Sequence, residues 1–263
     1  MLDPFSVKLL LGFLVGGIWI TLATVISERF GSKIGGLVGN LPSNILVGLF
    51  FIGMTQSAEF AAEAAGTVPI GMIMDSIFLF SYVVLVKKYD KLAALPALAI
   101  WFVMAYAIGK VKYFDLFWTT LAYFAVVLAL FAYLEYGMRI PSMKKKKPAY
   151  SASELAIRGF LAGGLIVAVT IGAALFGPVW GGIFSVFPVV MLSTMYLLNR
   201  AQGPEFAQAT GKVMLLGSVN IVVYAFAVIF TYPVYGLVWG TVISYVAAAV
   251  FVVLAYPIIK KVS

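Results

Sequence analysis

Apolar runs of about twenty residues recur from one end of the chain to the other, broken by short polar interruptions and without any alternation at period two. A run of that length spans roughly 30 Å as a helix, so the pattern predicts transmembrane helices rather than barrel strands. The expected spans lie at 6–27, 33–54, 59–86, 92–109, 114–136, 155–175, 179–198, 205–230 and 234–257, which makes nine. One linker stands out, "MRIPSMKKKKPAYSASE" at 138–154, where Pro141 and Pro148 bracket four lysines in a segment too polar for lipid.

Composition agrees with the pattern, since 63% of the 263 residues are apolar and only 11% are charged, too few to surface a soluble domain. The first run, "VKLLLGFLVGGIWITLATVI", is too long for a signal peptide, lacks a small-x-small cleavage site and has a counterpart later in the chain, so it reads as a mature helix. Cysteine and histidine are both absent. That removes disulfides, thiolate or imidazole metal sites and any Ser-His or Cys-His nucleophile, and it leaves oxygen ligands alone for a cation. No cofactor is implied, and without clustered carboxylates an enzyme is the least favoured class.

The chain repeats itself. "TQSAEFAAEA" at 55–64 returns as "AQGPEFAQAT" at 201–210, with Gln56, Glu59, Phe60 and Ala61 matching Gln202, Glu205, Phe206 and Ala207 at an offset of 146. "GFLVGG" at 12–17 matches "GFLAGG" at 159–164, and Gly35, Gly36 and Pro42 match Gly181, Gly182 and Pro188. Spans 1–4 therefore correspond to spans 6–9, with span 5 between them. An odd number of crossings separates each helix from its partner, so the copies are expected in opposite orientations. The predicted fold is an all-α integral membrane protein with an inverted-topology repeat, 4+1+4: repeat 1 at 1–112, connecting span 5 at 113–137, a basic linker at 138–154 and repeat 2 at 155–263.

Charge gives an independent check. Inverted copies should carry basic residues in opposite loops, and "SERFGSK" and "VKKYDK" of repeat 1 stand against uncharged "LFGPVW" and "TYPVYG" of repeat 2. Lys8, Lys110 and Lys112 fall on the N-terminal side, and the other 15 of the 18 basic residues on or closer to the opposite side. This sorting predicts an external N-terminus and a cytoplasmic C-terminus and 138–154 linker, and it accounts for the net charge of +8 without nucleic acid. Membrane lipids are the expected surroundings, with the tetralysine at 144–147 as a topology anchor that also suits anionic headgroups.

Two glycines, five residues, a proline, and then "SAE" or "GPE" before a third span make each half resemble the GlpM-like family of small four-span bacterial inner-membrane proteins. The second half is the closer, through "GGIFSVFPVVMLSTMYLL" and "AQGPEFAQAT". The resemblance implies a fused duplication in a cytoplasmic membrane, with span 5 supplying the inversion. It brings no substrate or reaction.

Several residues are candidates for more than packing. Gly12 and Gly16, like Gly159 and Gly163, form small-residue faces that suit either helix packing within the chain or a homodimer. Pro42 and Pro188 lie inside spans 2 and 7, where each removes a backbone donor, and Asn40, Ser43 and Asn44 gather at the first break where the second has valines. Glu59 and Glu205 open spans 3 and 8 near the positive end of the helix dipole, and Glu63 lies one turn deeper. Asp75 is about 24 Å beyond Glu59 along its helix and about 18 Å before Lys87, inside the hydrocarbon by either measure. An ionisable group at that depth must face protein or water, and Asn220 falls at the matching depth in span 8. Lys212 is the other charge inside a span, and its length suits snorkelling to the cytoplasmic surface.

Inverted repeats, interrupted spans and midplane polar residues together predict a secondary transporter of a small solute or cation, working by alternating access, with Asp75 coupling transport to a proton or sodium ion. An ion channel or a non-transporting, lipid-interacting scaffold could be built from the same parts.

Overall fold

The computed structural model describes residues 3–29, 42–111, 113–141, 143 and 151–262, and all regular structure among them is helical. In chain order the helices are α1 (Pro4–Arg29), α2 (Ser43–Thr55), α3 (Ala58–Gly66), α4 (Val68–Tyr89), α5 (Ala94–Ile108), α6 (Leu116–Ala132), α7 (Ala152–Phe176), α8 (Pro178–Ser185), α9 (Val189–Gln202), α10 (Pro204–Gly217) and α11 (Val219–Val262). Six helical stretches among the described residues are long and apolar enough to cross a membrane: Pro4–Ala23, Val68–Ile108, Leu116–Gly137, Ala152–Phe176, Pro178–Gln202 and Pro204–Ala255. The outward faces are apolar too; on α6, Phe117, Trp118, Leu121 and Leu128 are all exposed, as a lipid-facing helix requires. This is the constitution of a membrane-embedded helical protein.

Two of those stretches fold back on themselves. A short 3₁₀ turn at Asp90–Ala93 separates α4 from α5, with Asp90 at φ 49. A straight helix would hold Asp75 and Trp101 about 39 Å apart, yet they are hydrogen-bonded. Within α11 the backbone leaves helical geometry at Gly236, φ 69, a conformation that suits glycine, and Thr231 on one side then hydrogen-bonds to Ser244 on the other at 2.8 Å.

The interior is organised around α4, which is buried on most of its circumference from Val68 to Val86 and packs against α5, α6, α8, α10 and α11. The pair α1 and α7 lies to one side. Their glycine faces meet each other: a Cβ on Gly17 would stand 2.8 Å from the Gly159 carbonyl oxygen, and one on Gly163 would collide with the carbonyl of Phe13. Since 13 meets 163 while 17 meets 159, the helices run antiparallel. These faces, which suited either intrachain packing or a homodimer, pack on each other within the chain.

Candidate functional site

The two proline breaks have the same local form. Pro42 precedes α2 at φ −77, ψ 60, and Pro188 precedes α9 at φ −77, ψ 39. Each proline carbonyl accepts the first helical hydrogen bond, from Leu46 N–H at 3.1 Å and from Leu192 N–H at 2.7 Å. The carbonyl that Pro188 would have left unpaired, that of Phe184, is taken up by the N–H of Phe187 at 3.0 Å, so the break is satisfied locally.

The breaks face one cavity of about 90 Å³, and Pro42, Ser43, Asn44, Asp75, Pro188 and Asn220 all line it. Its polar wall is the first turn of α2; Val186 and Val190, from the second break, line it as well. Asp75 is 1% exposed, and its Oδ1 accepts a hydrogen bond from the Trp101 indole N–H at 2.8 Å. Trp101 is wedged in turn against Phe187, ring centroids 4.8 Å apart and nearly perpendicular, so the carboxyl is steered by a side chain that also braces the Pro188 break.

Asn220, 1% exposed at the start of α11, has neither its amide nitrogen nor its amide oxygen paired among the described residues. Asn44 donates to the Phe187 carbonyl at 3.4 Å, while its Oδ1 has no partner among the described residues. Buried amides are normally paired, so this concentration at one cavity marks a place where water or a ligand completes the bonding. From the far side, Ser218 reaches the cavity wall and shares a 2.9 Å hydrogen bond with the hydroxyl of Tyr123, tying α6 to it.

Two expected members are not part of this group. Asn40 lies outside the described residues. Glu63 is exposed on α3 and does not line the cavity, because the short helix turns Ala61, Ala62, Ala64 and Ala65 inward and leaves Glu59 and Glu63 on the opposite face. Glu205, at the start of α10, is 3.8 Å from Lys87, both side chains being largely exposed.

Lys212 departs from the snorkelling expected of it. It is fully buried, its ammonium 2.6 Å from Glu135 Oε2 and 2.8 Å from the Ile140 carbonyl. Glu135 belongs to a π-helical turn, Tyr133–Gly137, that continues α6, so the pair fastens the end of that helix to α10. Sequence spacing missed this pair, and it missed Trp101, which sits in a uniformly apolar helix.

Among known proteins, a family model described as "Protein of unknown function (DUF3147)" matches residues 9–114, the stretch from α1 through α5. No curated protein and no solved structure matches the chain.

Proposed function

We propose that this protein is a secondary transporter of a small solute, working by alternating access between two inverted four-span repeats, with Asp75 as the group that couples transport to a proton or sodium ion. The observation that carries the reading is the cavity at the paired proline breaks, where a buried carboxyl and two amides with unfilled hydrogen-bonding capacity converge.

On this reading the reversals at Asp90 and Gly236 turn the two longest helical stretches into pairs of crossings, which makes eight, and the shorter apolar helix α2 belongs to the ninth, arranged 4+1+4 with α6 as the connector. Several relationships support the repeat. α1 and α7, the first helix of each copy, pack antiparallel, and Phe13 meets its own counterpart Phe160 edge to face at 5.4 Å, as residues near a local twofold axis do. α3 starts at Ala58 and α10 at Pro204, keeping the 146-residue offset. A family match ending at residue 114 also supports a four-span unit, consistent with a fused duplication of a GlpM-like ancestor in a cytoplasmic membrane, N-terminus outside.

Flux assays in proteoliposomes test this. A transporter shows saturable solute flux coupled to an ion gradient, whereas a channel gives single-channel currents and a scaffold gives neither.

A further inference from the structure

The cavity combines two kinds of polar surface that single-charge ligands do not satisfy together. The first turns of α2 and α9 both line it, and these helices, 13 and 14 residues long, present N–H groups that no intrahelical carbonyl can reach. Two positive dipole ends therefore bear on the cavity, a setting that favours a carboxylate or another anion. The same cavity is lined by Asp75, with one oxygen held by Trp101, and by Asn220 and Asn44, whose Oδ1 atoms lack a donor among the described residues. That group suits an ammonium.

We propose that the cavity binds a small zwitterion of amino-acid type, its carboxylate at the N-termini of α2 and α9 and its ammonium on Asp75 and the two asparagine oxygens. A simple cation would have both helix ends turned towards it, and a simple anion would leave the two asparagine oxygens without a donor. The zwitterion brings its own counter-charge to each end. Asn220 Nδ2, also unpaired, is a donor for the carboxylate. The volume, about 90 Å³, has room for a zwitterion on the scale of glycine or alanine, with Ile45, Met191 and Met214 against its carbon.

Resting on the transporter reading above, the same geometry sets the coupling. Asp75 holds either a proton or the ammonium, so arrival of the zwitterion releases one proton from the carboxyl to solvent and its departure takes one back. The helices packed on α4 bring one titratable group towards Asp75, the phenol of Tyr123, which is bonded to Ser218. Lys212 is engaged with Glu135, Glu205 with Lys87, Asp90 with Asn199 and Tyr232 with Thr241, and Tyr106, Lys91, Glu59 and Glu63 are exposed, while the buried hydroxyls of Tyr82 and Tyr224 have no partner among the described residues. Asp75 is the carboxyl at the cavity on which proton and ammonium compete.

The test is calorimetric titration of the purified full-length protein with glycine, alanine, sodium acetate and methylammonium chloride, repeated from acidic to neutral pH. Glycine and alanine should bind at least about tenfold more tightly than either single-charge analogue, with affinity weakening by up to about tenfold per pH unit as Asp75 takes its proton. Asp75→Asn, which keeps an acceptor for Trp101, should weaken glycine binding and abolish its pH dependence, and Asn220→Leu should weaken glycine at every pH. Acetate or methylammonium binding as tightly as glycine, or no binding by any of the four to folded protein, would overturn the assignment. Proteoliposomes separate the two claims: glycine that binds but is not moved retains the site and removes the transporter, while gradient-driven flux of other solutes without glycine binding does the reverse.

Discussion

The indole N–H of Trp101 points at Oδ1 of Asp75 across 2.8 Å, joining two antiparallel helices at a position where both side chains are almost completely buried. This bond is the donor that fixes the carboxyl's rotamer, and Phe187 packs against the other side of the ring. Replacing Trp101 by Phe keeps an aromatic body and removes the donor. Thermal unfolding in detergent should show a loss of about 1–3 kcal/mol from the carboxyl left without it, together with weaker coupling. Full stability in Trp101→Phe would mean that the bond does not hold Asp75.

A second expectation concerns Lys212 and Glu135. A buried ammonium stripped of its carboxylate is far worse off than an apolar pair in its place, so Glu135→Leu alone should destabilise by about 3–5 kcal/mol, and Lys212→Met, which leaves a partly exposed carboxylate, by less. The double substitution should recover most of that loss. Denaturant titration of the reconstituted protein reads both, and additive losses in the double variant would show the pair to be uncoupled.

Much of this arrangement was legible in the sequence, for an identifiable reason. Proline and glutamate are few here, so the recurrence of Pro42 at Pro188 and of "EFA" at 205–207 was a signal above a generic apolar background. Depth along a helix likewise singled out Asp75 and Asn220, because hydrocarbon thickness sets a ruler that sequence distance can be laid against. What was illegible depended on contacts remote in sequence. Trp101 resembles any lipid-facing aromatic until α5 folds back on α4, and Lys212 finds Glu135 77 residues away. Glu63 misled because its face is decided by alanines packing inward, not by its distance from Glu59.

Orientation can be read chemically, since the chain has no cysteine of its own. Single cysteines at Ser6 and Met143, each in a separate variant, should divide in intact cells: an impermeant thiol reagent labels position 6 and leaves position 143 untouched until the membrane is opened. Labelling of 143 in sealed cells would reverse the topology.

The central claim is that Asp75 couples solute movement to an ion, and a pH-sensitive dye inside proteoliposomes measures this most directly. Wild-type protein and Asp75→Asn are compared under imposed pH or sodium gradients while small solutes are added on one side. The expected result is saturable solute entry linked to proton or sodium movement in the wild type; in Asp75→Asn that coupling is lost, while exchange of solute between equally loaded sides continues. Unchanged coupling in Asp75→Asn, or steady single-channel currents from the wild type, would contradict it.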